Sequence, residues 1–87
     1  MKILKEFILR DIAGEQVLVP TGETTQEFNG LITLTETAGF IWQNIEQAET
    51  VEDLVKLMLE EYEVDEETAK KDVERFVARL VAAGFVE

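Results

Sequence analysis

The first third of the chain contains three short runs in which apolar and polar residues alternate, as they do in half-buried β-strands. We predict strands at about residues 5–12, 16–20 and 29–34, with a short glycine-containing turn between the first two. Pro20 ends the second strand because proline has no amide hydrogen to donate to a ladder. Residues 21–27 are polar and predict a loop.

In the remainder of the chain, apolar residues recur at helical spacing. We predict helices at about residues 36–46, 51–62 and 66–83. Thr35 and Asp65 stand where N-caps of the first and third helices are expected, because their side-chain oxygens can accept hydrogen bonds from the first-turn amides.

Local signals also mark the start of the second predicted helix and the end of the third. Thr50 and Asp53 form the sequence pattern of a capping box. Gly84 can adopt the left-handed backbone conformation that ends a helix, and Phe85 can then contact Leu80 as in a Schellman turn. The residues of the second helix that we predict to face inward are Val51, Leu54, Val55, Met58, Leu59 and Tyr62.

The last predicted helix has an unusually wide apolar surface, an arc of ~160° centred on Val73. Burial between two neighbouring helices accounts for most of such an arc. Alternatively, one margin of it, near Phe76 and Leu80, lines a groove, with Arg79 and Asp72 next around the helix. Both interpretations remain open on periodicity alone.

The third predicted strand lacks the usual protection of a sheet edge. No charge and no proline occur between Glu27 and Glu36, whereas exposed edge strands normally carry one or the other. If the strands lie in the order 1-2-3, this strand is an edge that can accept a further strand through its free backbone groups. The alternative is a central strand that is already paired on both sides.

Three strands followed by three helices predict an α+β fold. A hairpin appended to three short helices is one form of winged helix. We therefore expect a winged-helix-like domain, with a three-stranded antiparallel sheet followed by a three-helix bundle, and the length of 87 residues predicts a single domain over 1–87.

The composition argues against catalysis. Cysteine, histidine and serine are absent, which removes the Ser–His and Cys–His nucleophile pairs and leaves zinc only carboxylates. The acidic run at 60–67 lacks the spacing and the glycine of a calcium loop, so helix caps and a solvated surface explain it. We expect no enzymatic activity, no metal and no cofactor.

Charge and hydropathy limit the partners and the location. The net charge is −11 with only eight Lys and Arg residues, so nucleic acid and anionic membranes are poor partners. No apolar run approaches the ~20 residues of a membrane span, and the first residues do not resemble a signal peptide. We expect a cytoplasmic protein.

Three other functions are compatible with parts of the same pattern. A winged-helix DNA-binding regulator shares the architecture, but residues 66–83 hold four acidic and four basic side chains, so the helix is neutral. A carrier protein would attach its arm through a serine, which the chain lacks. A homodimer could form if the third strand paired with its own copy.

Four segments resemble the family of pyrroloquinoline-quinone (PQQ) biosynthesis protein D, the PqqD-like peptide chaperones. They are V-L-V-P-T-G-E (17–23), F-N-G-L-I-T-L-T-E-T-A-G-F-I-W (28–42), T-V-E-D-L-V-K-L-M (50–58) and D-V-E-R-F-V-A-R-L-V-A-A-G-F-V (72–86). Together they span most of the chain. The proline–glutamate pair typical of the family after the second strand is here Pro20-Thr21.

The resemblance implies a winged-helix-related recognition element for ribosomally made, modified peptides. Such a domain binds the leader of a precursor peptide as an added strand and presents it to a modifying enzyme, commonly a radical S-adenosylmethionine (SAM) enzyme of the SPASM type. By resemblance, the peptide-binding residues are Leu31, Ile32, Thr33 and Leu34 on the third strand and Asp72, Val73, Phe76, Arg79 and Leu80 on the last helix.

Overall fold

The computed structural model describes residues 1–28 and 30–87. Its first element is a β-hairpin of strands β1 (Phe7–Ile12) and β2 (Glu15–Pro20). Ala13 and Gly14 both have positive φ, +53° and +86°, which is the backbone of a type I′ turn. The Asp11 carboxylate supports the turn by accepting a hydrogen bond from the Gly14 amide at 3.0 Å.

A short helix and a short strand complete the sheet region. Helix α1 (Thr24–Glu27) is a single turn inside the predicted loop. The Thr24 hydroxyl is buried and accepts a hydrogen bond from the Glu6 amide at 2.8 Å, which ties α1 to the hairpin. Strand β3 (Ile32–Leu34) is shorter than the predicted third strand, and the first residue of that prediction lies outside the described residues.

The three strands form one antiparallel sheet in the order β1-β2-β3. The expected α+β fold, a three-stranded antiparallel sheet followed by helices in a winged-helix-like arrangement, is confirmed. β3 is therefore an edge strand, and the alternative of a central third strand is wrong. Among the described residues, no helix has the length and apolarity needed to cross a bilayer.

Helices α2 (Glu36–Ile45), α3 (Val51–Glu61) and α4 (Glu66–Ala82) follow the sheet. The predicted caps are present at all three starts: the side chains of Thr35, Thr50 and Asp65 each accept a hydrogen bond from a backbone amide of the first turn. The Asp53 carboxylate completes the capping box by accepting the reciprocal bond from the Thr50 amide at 3.1 Å. These caps satisfy amides that have no partner inside the helix.

Helix α4 ends as its sequence predicts. Gly84 has φ +79°, and the Phe85 amide donates to the Leu80 carbonyl at 2.9 Å while the Gly84 amide donates to the Val81 carbonyl at 3.0 Å. These two bonds define a Schellman motif. The motif folds Phe85 back over the end of α4, next to Leu80.

The core lies between one face of the sheet and the three long helices. Trp42 of α2 is buried in it, as are Leu54 and Met58 of α3. Leu59 was predicted to face inward but is exposed, because the buried face of α3 is narrower than its apolar pattern. The core residues with no more than 2% exposure are Leu18, Ile41, Ile45, Leu54, Met58, Ala69, Val73 and Val86.

Candidate functional site

The hydrogen-bond ladder shows which backbone groups of the sheet are free. Just before β1, the Glu6 carbonyl accepts a hydrogen bond from the Thr21 amide at 3.0 Å. Successive residues of an antiparallel strand direct their amide and carbonyl groups to opposite sides. The even-numbered residues of β1 therefore bond to the odd-numbered residues of β2, and the even-numbered residues of β2 are left to bond to β3.

The same alternation fixes the free groups of β3. Leu18 of β2 lies opposite Ile32, so the backbone groups of Ile32 and Leu34 point into the sheet. The amide and carbonyl of Thr33, and those of Leu31 just before the strand, point away from it. The Leu31 side chain is also 61% exposed. Among the described residues, nothing pairs with this outward side of the β3 backbone.

An apolar cavity of about 340 Å³ lies directly beside this edge, between β3 and α4. Ile32 and Leu34 supply its sheet side, and Phe76 and Leu80 supply its helix side. Phe85, folded back by the Schellman motif, closes one end. Its full lining is Leu18, Ile32, Thr33, Leu34, Thr35, Ala38, Phe76, Arg79, Leu80, Ala83 and Phe85.

A second cavity of about 290 Å³ continues the first toward the start of α4. The two share Phe76 and Arg79, so they form one groove, called the α4 groove below. This end is polar: Asp72, Arg75 and Arg79 line it. Among the described residues, none of these three side chains takes part in an ion pair, so both guanidinium groups are available to an anionic partner.

A third cavity, of about 200 Å³, extends the α4 groove past the other end of α4. It shares Ala83 and Phe85 with the first cavity and is also lined by Phe28. The Phe28 and Phe85 rings meet edge to face with centroids 6.1 Å apart, and the Phe7 ring packs against Phe85 at a tilt of 44° with centroids 4.7 Å apart. This end of the groove is therefore aromatic and held by tertiary packing.

The groove has the length of a short extended peptide. From Asp72 to Ala83, α4 rises about 16 Å at ~1.5 Å per residue. An extended strand covers that distance in about five residues at ~3.3 Å each.

Most of the residues predicted to bind peptide come together in this groove. Ile32, Thr33, Leu34, Phe76, Arg79 and Leu80 line the first cavity, and Asp72 lines the second. Leu31 lies beside them at the start of the free edge. Val73 is different: it is fully buried in the core and lines neither cavity, so its side chain supports α4 from beneath.

Several lining residues had no signal in the sequence. Leu18 belongs to the central strand, and Phe28 follows α1, so only tertiary packing brings them to the groove. Phe85 was predicted to contact Leu80, but its place in the groove wall depends on how α4 lies against β3. The side chains that line the groove are apolar, hydroxyl-bearing or charged, so they can bind a ligand through apolar contacts, hydrogen bonds and ion pairs.

Comparisons with known proteins place this geometry in context. The family model described as coenzyme PQQ synthesis protein D (PqqD) matches residues 15–86. The solved structure of TbiB1 in complex with the TbiA(beta) leader peptide aligns with a TM-score of 0.71 and 25% sequence identity, over 100% of this chain and 95% of that chain. A search of curated proteins found no match.

A second solved structure, lasso peptide synthetase B1 complexed with the leader peptide, aligns with the same TM-score of 0.71. The alignment covers 99% of this chain and 95% of that chain at 22% identity. At this identity the likeness is evidence for the fold.

Proposed function

The chain belongs to the PqqD family, and from this premise we propose that it is a non-catalytic recognition module for the leader segment of a ribosomally synthesised precursor peptide. TbiB1, which shares its fold over the whole chain, was solved with a leader peptide. The proposal rests chiefly on the position of the free β3 edge directly beside the α4 groove. Strand addition requires that combination, because backbone pairing gives affinity and adjoining pockets give specificity.

In the proposed complex, the leader adds to β3 as a fourth strand. Its backbone pairs with the outward amide and carbonyl groups of Leu31 and Thr33. Side chains of paired residues lie on the same face of a sheet, so leader residues opposite Ile32 and Leu34 face the α4 groove. Leader residues opposite Leu31 and Thr33 face solvent and contribute little to selection.

The middle of the groove selects an apolar anchor. Phe76, Leu80 and Phe85 surround the cavity of about 340 Å³ beside Ile32. Full burial of an aliphatic or aromatic side chain there stabilises a complex by about 1.5–3 kcal/mol. The aromatic end beyond Phe85 can accept a second apolar side chain of the leader.

The polar end of the groove favours an acidic residue in the leader. Arg75 and Arg79 are exposed there on a protein whose net charge is −11. Elsewhere on the surface the acidic excess repels an acidic peptide, so these two side chains provide the local attraction. Complementary charges of this kind act mainly on the association rate.

The module then presents the bound leader to a modifying enzyme. On family grounds we propose a radical SAM enzyme of the SPASM type as the recipient, in PQQ biosynthesis or in another pathway of peptide modification. The chain itself performs no bond-making step in this account. It fixes the position of the bound leader and holds the precursor peptide close to the enzyme, so that the enzyme meets its substrate at a raised effective concentration.

Truncation of Phe76 tests the groove directly. Phe76→Ala should weaken binding of a leader by roughly 5- to 30-fold, because about 1–2 kcal/mol of anchor contact is lost. Calorimetry with a synthetic leader, taken from a precursor reading frame beside this gene, measures the change. Lys56→Ala is the matched control, since Lys56 lies on α3 away from the α4 groove. Equal affinities for the two folded variants would count against the groove.

A further inference from the structure

Among the described residues, the β1 edge of the sheet, opposite β3, is also unpaired, and the N-terminal segment that precedes it pairs with the end of the chain. The Lys2 amide donates to the Glu87 carbonyl at 3.3 Å, and the Leu4 amide donates to the Phe85 carbonyl at 2.8 Å. The Glu6 carbonyl also points inward, where it accepts a hydrogen bond from the Thr21 amide just after β2. β1 itself begins at Phe7 and the chain bends at Lys5, but on both sides of the bend the even-numbered residues direct their backbone groups inward.

The odd-numbered residues of β1 direct their backbone groups to the free edge. These residues are Phe7, Leu9 and Asp11, and among the described residues no backbone hydrogen bond reaches their outward amides or carbonyls. On the face of the sheet that is turned away from the helices, the side chains along this edge are apolar at every fourth position. Leu4, Ile8 and Ile12 are 43%, 44% and 47% exposed.

The sequence of this edge, L-K-E-F-I-L-R-D-I at 4–12, is complementary to itself when read in the opposite direction. If two copies pair antiparallel with Ile8 opposite Ile8, then Leu4 lies opposite Ile12 and Glu6 lies opposite Arg10. Each exposed apolar residue meets an apolar residue, and each charge on this face meets an opposite charge. Such cross-strand pairs stabilise a sheet.

Neighbouring registers lack this complementarity. Pairing centred on Phe7 sets Glu6 against Ile8, and pairing centred on Leu9 sets Arg10 against Ile8. Pairing centred on Arg10 opposes two guanidinium groups, and like charges directly opposite each other destabilise a sheet. The Ile8 register also allows backbone hydrogen bonds between the copies, because it sets the outward amide and carbonyl of Phe7 opposite those of Leu9 in the second copy.

We propose that the chain forms a two-fold homodimer in which β1 pairs with β1 of a second copy about Ile8. The product is a continuous six-stranded sheet with one β3 strand at each outer edge. The contact is isologous, as expected of a closed dimer. It does not depend on the proposed leader binding, and it differs from pairing through β3 because it leaves both α4 grooves open.

A disulfide at the two-fold axis tests the register. The chain has no cysteine, so a single Ile8→Cys substitution introduces the only thiol. In the proposed register Ile8 forms a non-hydrogen-bonded pair with its copy, where Cα atoms lie about 4.5 Å apart, within the ~4.4–6.8 Å of disulfides. Under mild oxidation, Ile8→Cys should convert to covalent dimer at least about tenfold faster than the control.

The matched control is Val81→Cys. Val81 lies on α4 and is 50% exposed, so its accessibility is close to that of Ile8, but the dimer gives it no symmetric partner. Equal rates of covalent dimer formation for the two variants would overturn the proposed register.

Sedimentation equilibrium tests the interface through its charges. The native sequence should reach twice the 9.9 kDa of the chain at high concentration. Arg10→Glu should raise the dissociation constant about tenfold or more, because it places like charges opposite each other at two symmetric positions. The double variant Glu6→Arg with Arg10→Glu should restore the dimer.

Three results would overturn the β1 dimer: a monomer at all concentrations, an unchanged dissociation constant for Arg10→Glu, or failure of the double variant to recover. Addition of the synthetic leader should leave the dimer intact. Dissociation on leader addition would assign the interface to β3 and refute pairing through β1. Absence of leader binding, with the dimer unchanged, would refute only the proposed function.

Discussion

Replacing Thr33 by proline separates strand addition from every other way in which a peptide could occupy the groove. The Thr33 amide points to the free edge of β3, so β2 does not use it. Proline is tolerated on edge strands when its missing amide faces solvent. Thr33→Pro should therefore fold like the native chain while losing one donor to the leader and placing a ring where a leader carbonyl must approach.

The expected loss follows from the groups involved. Leu31 and Thr33 offer two amides and two carbonyls, and the substitution removes one amide of the four groups. It also leaves a leader carbonyl buried without a donor, which costs about 1–3 kcal/mol. Because 1.4 kcal/mol corresponds to a factor of ten, leader affinity should fall roughly 5- to 150-fold.

Fluorescence anisotropy with a labelled leader measures the change, and circular dichroism checks that each variant is folded. Thr33→Val is the matched control, because it keeps the amide and replaces an exposed side chain by one of nearly the same shape. Thr33→Val should bind within about twofold of the native chain. Thr33→Pro binding as tightly as Thr33→Val would refute strand addition at β3.

Three further predictions follow from the groove, the turn and the helix caps. Arg79→Glu should slow association of an acidic leader at low ionic strength, with the difference erased by salt; equal association rates in stopped-flow would contradict this. Ala13→Asn should raise the melting temperature, because it relieves about 1 kcal/mol of left-handed strain in a type I′ turn, whereas Ala13→Val should lower it; the opposite order in thermal denaturation would refute the turn assignment. Backbone hydrogen bonds from Glu49 and Thr50 lower the pKa of Asp53 below its ordinary value of 3.8, and the Thr68 hydroxyl and amide lower the pKa of Asp65 likewise. Since the folded pKa values of Asp53 and Asp65 lie below the unfolded ones, the two ionised carboxylates stabilise the fold above about pH 4, and this contribution is lost as pH falls through the folded values. A melting temperature that stays constant between pH 5 and pH 2 would contradict this prediction.

The local parts of the fold could be predicted from the sequence because their signals are local. A cap needs only a side-chain acceptor three residues before an amide, so Thr35, Thr50 and Asp65 are predicted without knowledge of the rest of the chain. The Gly84 stop depends on one backbone conformation that glycine adopts freely. The missing charges of β3 left an edge strand and a central strand both open, and the strand order of the structure decides for the edge.

The missed features depend on tertiary contacts. Helix α1 is a single turn that is fixed by the hydrogen bond between Glu6 and Thr24 rather than by an apolar pattern. Leu59 fits the periodicity of α3 but lies at the margin of its buried face, beside Glu66 and Lys70 of α4, and stays 36% exposed. Val73 is at the centre of the apolar arc, which is why it is buried in the core, whereas the margin of the arc, at Phe76 and Leu80, lines the groove.

Hydrogen exchange at the Thr33 amide tests strand addition most directly. In the free protein this amide should exchange rapidly, because it faces solvent, while the neighbouring Ile32 and Leu34 amides are protected by β2. Saturating leader should slow exchange at Thr33 by at least about tenfold, since the amide then bonds to the leader backbone. A bound leader that leaves Thr33 exchanging at its free rate would contradict the account.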